Sequence, residues 1–498
     1  MQKRLIFLLA IISMLPLFVL AQAYKPMRVE YATKVFTQMR VIPASSNRVI
    51  SFLRYAKRNS KGDVWKVNGL DAAFHTVWTK DIIVPRGYQI SEYEIEKDSV
   101  LHILIVKENG SSASFLKLRI NIDNGSYTSF FFKGNRRSLL VGLKLFEGQL
   151  YLYGVGLENI QSQLDEYNAK TKYEKILTAK VPKNFHIISA LADTAHHRFI
   201  ILVRNTKSVP GELRLMEFDN QGTMIQAHLL TQLNQQNIVE GSLIYSDEME
   251  VFFVGTYNNY ASKKKHSSNE AATGVFIGKI NGSIFEFFKF YRFTDFTNIH
   301  KTLTYREQNK IKIEKGKGKN VNLYLDLLIH KKVLTHQGTF VLVAEAYFPV
   351  YHYETMYDGR GYMYQTEVFD GYQITNGLAA AFDGKGNLVW DNYIQVSGVQ
   401  TYYLEETVDV YNDGETQVFM YYQNEKVYSK VTQENEIVFK KEATELPTVM
   451  SGEKVIAEDN GRITHWSGAH FLISGYQKVY GSNGKTRKVF FITGVAFQ

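Results

Sequence analysis

The chain has 498 residues, of which 45% are hydrophobic and 14% aromatic, with 32 Tyr, 32 Phe, no Cys and a formal net charge of +9 at pH 7. That length admits one large repeat fold or two to three ordinary domains, and the apolar content can build a large core. The absence of cysteine excludes a disulfide framework and a lipid anchor on cysteine, and the mild charge excess does not point to nucleic acid.

Taken from the start, Met1-Gln2-Lys3-Arg4 is a basic lead, Leu5 to Leu20 is apolar, and Ala21-Gln22-Ala23 is a small-x-small cleavage site. This is the pattern of a signal peptide over 1–23, and it predicts a mature chain that begins near Tyr24 in the periplasm or outside the cell. Pro16 interrupts an apolar run of only 16 residues, which argues against a membrane anchor. Losing Lys3 and Arg4 lowers the charge from +9 to +7. No later apolar run approaches the roughly 18 residues a spanning helix needs, so the mature chain is expected to be soluble, without a transmembrane segment.

The body of the chain repeats one unit: an apolar strand, a turn of Asp, Asn and Gly, and a second strand rich in aromatics. Hairpins of this kind are predicted at Val64 to Val84, Phe115 to Phe132, Leu164 to Val181, Leu213 to Leu230, Val275 to Phe293, Phe369 to Ile394 and Val427 to Lys440. An inner strand is expected before most of them, at Ile50 to Tyr55, Val100 to Val106, Leu150 to Val155, Arg198 to Val203, Val251 to Tyr257, Phe340 to Ala346 and Gln417 to Tyr422. Ala469 to Gly475 and Lys488 to Phe497 form a last pair, and Val29 to Met39 is the natural N-terminal contribution to a blade shared by both chain ends.

About four strands at a spacing of roughly 40 to 60 residues, with no convincing helix between copies, point to an all-β fold: a β-propeller of seven, possibly eight, four-stranded blades. A two-domain β-sandwich is the competing architecture. Two basic inserts, near 258–272 and 294–320, break the period, either as solvated charged loops or as contact surfaces on one face.

No catalytic spacing is present. The 13 His residues form no His-Glu-x-x-His, His196-His197 would point to opposite faces of a strand, and the glycine-lysine run at 316–319 lacks a phosphate loop's Ser or Thr. Gly274 and Gly278 flank strand residues rather than a nucleophile. No metal and no cofactor are therefore expected. Glu240, Glu345, Glu367 and Asp370 are candidates for a glycoside hydrolase's paired carboxylates at a central funnel, against the plainer reading of turn and strand residues. Asp123, Asp219 and Asp383 read as turn caps.

Tyr347 to Tyr372 is the most distinctive stretch, with nine aromatics: Tyr347, Phe348, Tyr351, Tyr353, Tyr357, Tyr362, Tyr364, Phe369 and Tyr372. Together with Arg360 these offer flat amphipathic surface for a protein partner or a glycan, unless the rings fill the blade's own core.

Val368-Phe369-Asp370-Gly371-Tyr372, followed by Ala379 to Asn392 with its Phe-Asp-x-x-Gly-x-Leu-x-Trp core, resembles the late blade of a family of exported bacterial propeller-like proteins. The resemblance covers Ala344 to Ile394. It implies a propeller in the cell envelope and is compatible with one role in particular, the plug subunit of the type IX secretion translocon. The expected function is a non-enzymatic binding or scaffold protein that contacts an envelope partner, with a carbohydrate-binding or glycoside-hydrolase propeller as the alternative.

Overall fold

The computed structural model describes residues 27–496 apart from 56–59, 61, 108–113, 135–138, 156, 171–175, 206–211, 231–235, 247, 249, 260–270, 282–283, 320, 331–332, 358 and 447–451. The predicted signal peptide and most of the first basic insert lie outside the described residues.

Eight sheets succeed one another along the chain. Blade 1 pairs Phe36–Ser45, Arg48–Tyr55, Asp63–Asp71 and Thr76–Val84. Blade 2 pairs Tyr88–Glu96, Val100–Lys107, Phe115–Asn121 and Tyr127–Phe132. Blade 4 spans Phe185–Asp193 to Met224–Leu230, blade 5 spans Gln236–Tyr245 to Ile284–Arg292, and blade 7 spans Val408–Asn412 to Glu436–Glu445. Blade 8 consists of Lys454–Ser467, His470–Tyr480 and Thr486–Ala496, and its outermost place is filled by the N-terminal strand Arg28–Ala32.

The ring is closed by packing as well as by pairing. A hydrophobic cluster lies between each consecutive pair of blades, and the last of them joins Val49 and Leu70 of blade 1 to Leu472, Phe490 and Ile492 of blade 8. Each blade therefore buries both faces against its neighbours, the arrangement that makes propellers stable without disulfides. The first strands of successive blades approach one another in the middle of the ring. This is the predicted propeller, with the C-terminal pair belonging to an independent eighth blade.

The structure corrects the sequence reading at four places. The predicted inner strands are second strands, because each of those blades begins with a further strand on the inner side, polar in Tyr88–Glu96 and apolar in Leu139–Phe146. Val29 to Met39 divides: Arg28–Ala32 closes blade 8, and Phe36–Ser45 opens blade 1. Leu164 to Val181 is not a hairpin, since Gln161–Lys170 is an α-helix and Ile176–Val181 pairs in parallel with Gln149–Val155 of blade 3. A parallel pair needs a crossover, and the helix supplies it. In the second insert, Tyr305–Gly316 is a helix rather than loop, started by a capping box in which Thr304 and Glu307 satisfy each other's backbone N–H.

Candidate functional site: the hairpin of blade 6

Blade 6 carries the longest strands of the molecule, Thr339–Tyr357 and Met363–Phe382, paired from Phe340↔Phe382 to Tyr357↔Met363. The first half belongs to the blade. Phe340, Val341, Leu342, Val343, Ala379, Ala381 and Phe382 are all buried there against blades 5 and 7. Beyond Ala346 the two strands leave the blade and continue as a free-standing arm.

Two irregularities set the arm's course. The register shifts between Ala346 and Tyr347 and again between Val350 and Tyr351, where Asp370 is the extra, unpaired residue. A bulge of this kind bends and twists a ribbon. Asp370-Gly371 is thus a bulge within one strand, not the turn its sequence implies. Gly371 has φ 129°, and a Cβ there would lie 2.5 Å from the Thr401 carbonyl oxygen, so only glycine fits where Gln400–Thr401 pairs onto the arm's base.

The aromatic residues sort by their distance from the blade. At the base, half-buried Tyr347, Phe369 and Tyr372 form a chain of edge-to-face contacts, with centroids 5.3 Å apart for Tyr347–Tyr372 and 5.0 Å for Phe369–Tyr372. Tyr402 joins them at 5.8 Å from Phe369. Farther out the rings are exposed: Tyr353 by 68%, Tyr357 by 69% and Tyr362 by 71%. The period of two places Tyr351, Tyr353, Tyr357 and Met363 on one face and Met356 and Tyr364 on the other. Arg360 and Tyr362 lie exposed at the turn. The rings thus divide within one hairpin between packing against the blade at the base and exposed surface at the tip.

Polar contacts stiffen both faces. His352 sits between Asp370, 2.7 Å from Nδ1, and Glu354, 3.1 Å from Nε2. Those two carboxylates, Glu354 first, raise the His352 pKa above the usual imidazole value. Tyr353 donates its hydroxyl to Glu367 at 3.4 Å.

The four candidate carboxylates occupy separate settings. Glu345 is fully buried and ties blade 6 to blade 7, accepting bonds from Thr407 N at 2.7 Å, Thr407 Oγ1 at 2.5 Å and Val408 N at 2.9 Å, with His330 Nε2 at 2.9 Å. Glu367 and Asp370 lie on the arm, and Glu240 lies on the innermost strand of blade 5. The structure does not bring them together as an acid pair. His196 and His197 sit in a turn rather than a strand, bonded to Asp193 and Glu147 respectively. Asp219 and Asp383 cap their turns as read, each accepting two backbone N–H bonds through Oδ1. Among the described residues no His, Asp and Glu group is placed to hold a metal ion, and no helix is long and apolar enough to cross a membrane.

No family model matches the chain, and no curated protein matches it. Among solved structures, the polysaccharide lyase Uly1 aligns over 92% of this chain and 91% of its own at 10% identity and a TM-score of 0.37. The β-propeller domain of the Trilobed protease from Pyrococcus furiosus aligns over 91% and 96% at 8% identity and a TM-score of 0.33. The uncharacterized protein lmo1340 from Listeria monocytogenes EGD-e aligns over 92% and 95% at 10% identity and a TM-score of 0.36. None of these likenesses bears on activity, and the β-propeller architecture rests on the strand pairing of the chain itself.

Proposed function

We propose that the protein is a non-enzymatic binding or scaffold protein that captures a protein partner on the arm of blade 6. One observation carries this reading: a hairpin that leaves its blade keeps exposed aromatic and Met side chains on both of its faces. A two-stranded ribbon is marginal alone in water, and apolar residues on both sides of it are the arrangement a partner would cover. Tyrosines suit that task because they offer large contact area with little side-chain entropy to lose.

The finer form of the proposal is an envelope partner. It draws on the export pattern of Met1 to Ala23 and on the family resemblance, and its most specific version is a plug that contacts the outer-membrane channel of the type IX secretion translocon. The test is capture of the tagged protein from detergent-solubilised envelopes, with mass spectrometry of the retained material. Wild type is expected to retain a large envelope protein at near-equal amount, and replacement of Tyr351, Tyr353 and Tyr357 by Ser is expected to reduce capture by about tenfold or more. Equal capture by both proteins would remove the arm from the function, and binding of polysaccharide in place of protein would favour the carbohydrate alternative.

A further inference from the structure

A second feature, independent of the arm, is the helix Tyr305–Gly316 in the insert between blades 5 and 6. It buries none of its residues and is held by polar contacts at its two ends. The Gln308 amide donates to the Leu303 carbonyl at 2.8 Å, and the Lys315 ammonium reaches the Thr294 carbonyl and the Asp295 carboxylate. The arm joins the second strand of blade 6 to the third, whereas the helix lies between the last strand of blade 5 and the first of blade 6. In an antiparallel meander those two connections emerge on the same side, so the arm and the helix share a face of the ring.

Charge is concentrated and sorted in this segment. Residues 301–319 hold seven Lys and Arg against two acids, which places a net +5 of the chain's formal +9 here. Both acids are occupied. Glu307 completes the capping box with Thr304, and Glu314 accepts Lys317 and Lys319, each at 2.9 Å. Arg306, Lys310 and Lys312 are exposed and form no ion pair among the described residues.

The same side of the helix carries apolar groups. Tyr305, Arg306, Asn309, Lys310 and Ile313 follow one another at the spacing of a single helical stripe, with Lys312 at its border. Tyr305 is 79% exposed and Ile313 58%. The outward side of a surface helix is ordinarily polar, yet here an aromatic and an aliphatic side chain stand in water among cations.

That mixture selects the kind of surface. A soluble polyanion such as an acidic polysaccharide would neutralise the three cations and leave Ile313 in water. The face of an anionic bilayer offers both parts: phosphates for Arg306, Lys310 and Lys312, and an acyl boundary for Ile313 beneath a headgroup layer that suits a tyrosine ring. Two apolar side chains are too few to anchor a protein alone, so the attachment is led by charge, reversible and weakened by salt.

We propose that the outward stripe of Tyr305–Gly316 docks on a bilayer surface rich in anionic headgroups, with the three cations on the phosphates and Tyr305 and Ile313 as shallow anchors. Docked in this way, the ring turns the side that bears the arm toward the membrane.

The test is co-sedimentation of residues 24–498, which omit the apolar stretch Leu5 to Leu20, with vesicles of phosphatidylcholine alone or with about one-third phosphatidylglycerol. Retention on the anionic vesicles at low salt, release at about 0.5 M salt and no retention on the neutral vesicles are expected. Joint replacement of Arg306, Lys310 and Lys312 by Gln is expected to weaken binding about a hundredfold. Tyr305→Ser with Ile313→Ser, which keeps every charge, is expected to weaken it about tenfold. All five side chains are exposed, so these variants should fold. Gln at the exposed Lys80, Lys180 and Lys488 removes the same charge elsewhere and is expected to bind within about threefold of wild type. The proposal is overturned if neutral vesicles bind equally well, if the two triple variants lose binding equally, or if the Tyr305 and Ile313 variant binds as wild type. Binding to alginate with none to vesicles would also overturn it, and would give the helix to an acidic polysaccharide.

Discussion

Blades 3 and 6 both depart from the four-stranded pattern, and they do so in opposite directions. In blade 3 the chain leaves the sheet through the helix Gln161–Lys170, which turns Leu164 and Tyr167 inward to 0% and 6% exposure. Tyr167 then packs edge-on to Phe130 at 5.1 Å, and Gln163 bonds both backbone groups of Lys133 at 2.9 Å. In blade 6 the chain leaves as an extended ribbon, and its tyrosines stay in water. The same residue type thus serves two ends. An irregularity whose apolar groups are covered by its own chain solves a packing problem, whereas one that leaves them uncovered on two faces presents the surface that the proposed partner would cover.

The largest effect should come from blade 3. Leu164→Ala is expected to cost about 2–5 kcal/mol in urea unfolding, because it opens a cavity between blades 2 and 3. A cost below about 0.5 kcal/mol would place this helix in the same class as the arm and dissolve the contrast.

The base of blade 6 should show an intermediate effect, visible as a pH dependence. Burial alone would lower the His330 pKa, but its bond to Glu345 and the charges of Glu345, Glu406 and Asp409 outweigh this and raise it. A raised folded-state pKa means the protonated histidine stabilises the fold. That contribution is complete below the ordinary histidine value near 6.5 and is lost as pH rises through the higher folded value. Wild type should therefore lose stability relative to His330→Gln as pH rises above about 6.5. Parallel stability curves for the two proteins would show that folding leaves the His330 pKa unshifted.

The smallest effect sharpens the comparison most. Replacing Tyr351, Tyr353 and Tyr357 together by Ser should leave the unfolding midpoint within about 0.5 kcal/mol of wild type, since the three rings are exposed. A loss of several kcal/mol would show that these rings belong to the core like Tyr167.

The elements readable from sequence are those marked by their turns. Phe115 to Phe132, Leu213 to Leu230 and Phe369 to Ile394 were legible because Asp and Asn at their turns bond their own backbone, and those bonds are present at Asn121, Asp219 and Asp383. The first strand of each blade was not. Tyr88–Glu96 carries three glutamates because it lines the channel, so it lacks the apolar run that marks a strand. The helix of blade 3 escaped notice because only Leu164 and Tyr167 mark its buried side, too few for a helical period. The Thr304-x-x-Glu307 box did carry a readable signal for the second helix. Of the candidate site, the aromatic stretch was visible as composition. The division between its packed base and exposed tip depended on where the strands leave the blade, which no local pattern encodes.

The strand Arg28–Ala32 has one more consequence, for the way the chain folds. Its partner Val489–Thr493 lies at the opposite end of the sequence, so the last seam waits for the whole polypeptide, and contacts of such long range slow folding. Until then blade 8 presents an open sheet edge, the kind of surface that invites pairing with other chains. A circular permutant that begins at Phe36 and carries residues 27–35 after Ala496 would make every blade from contiguous sequence. It would exchange the seam for a local hairpin and shorten the time that edge stands open.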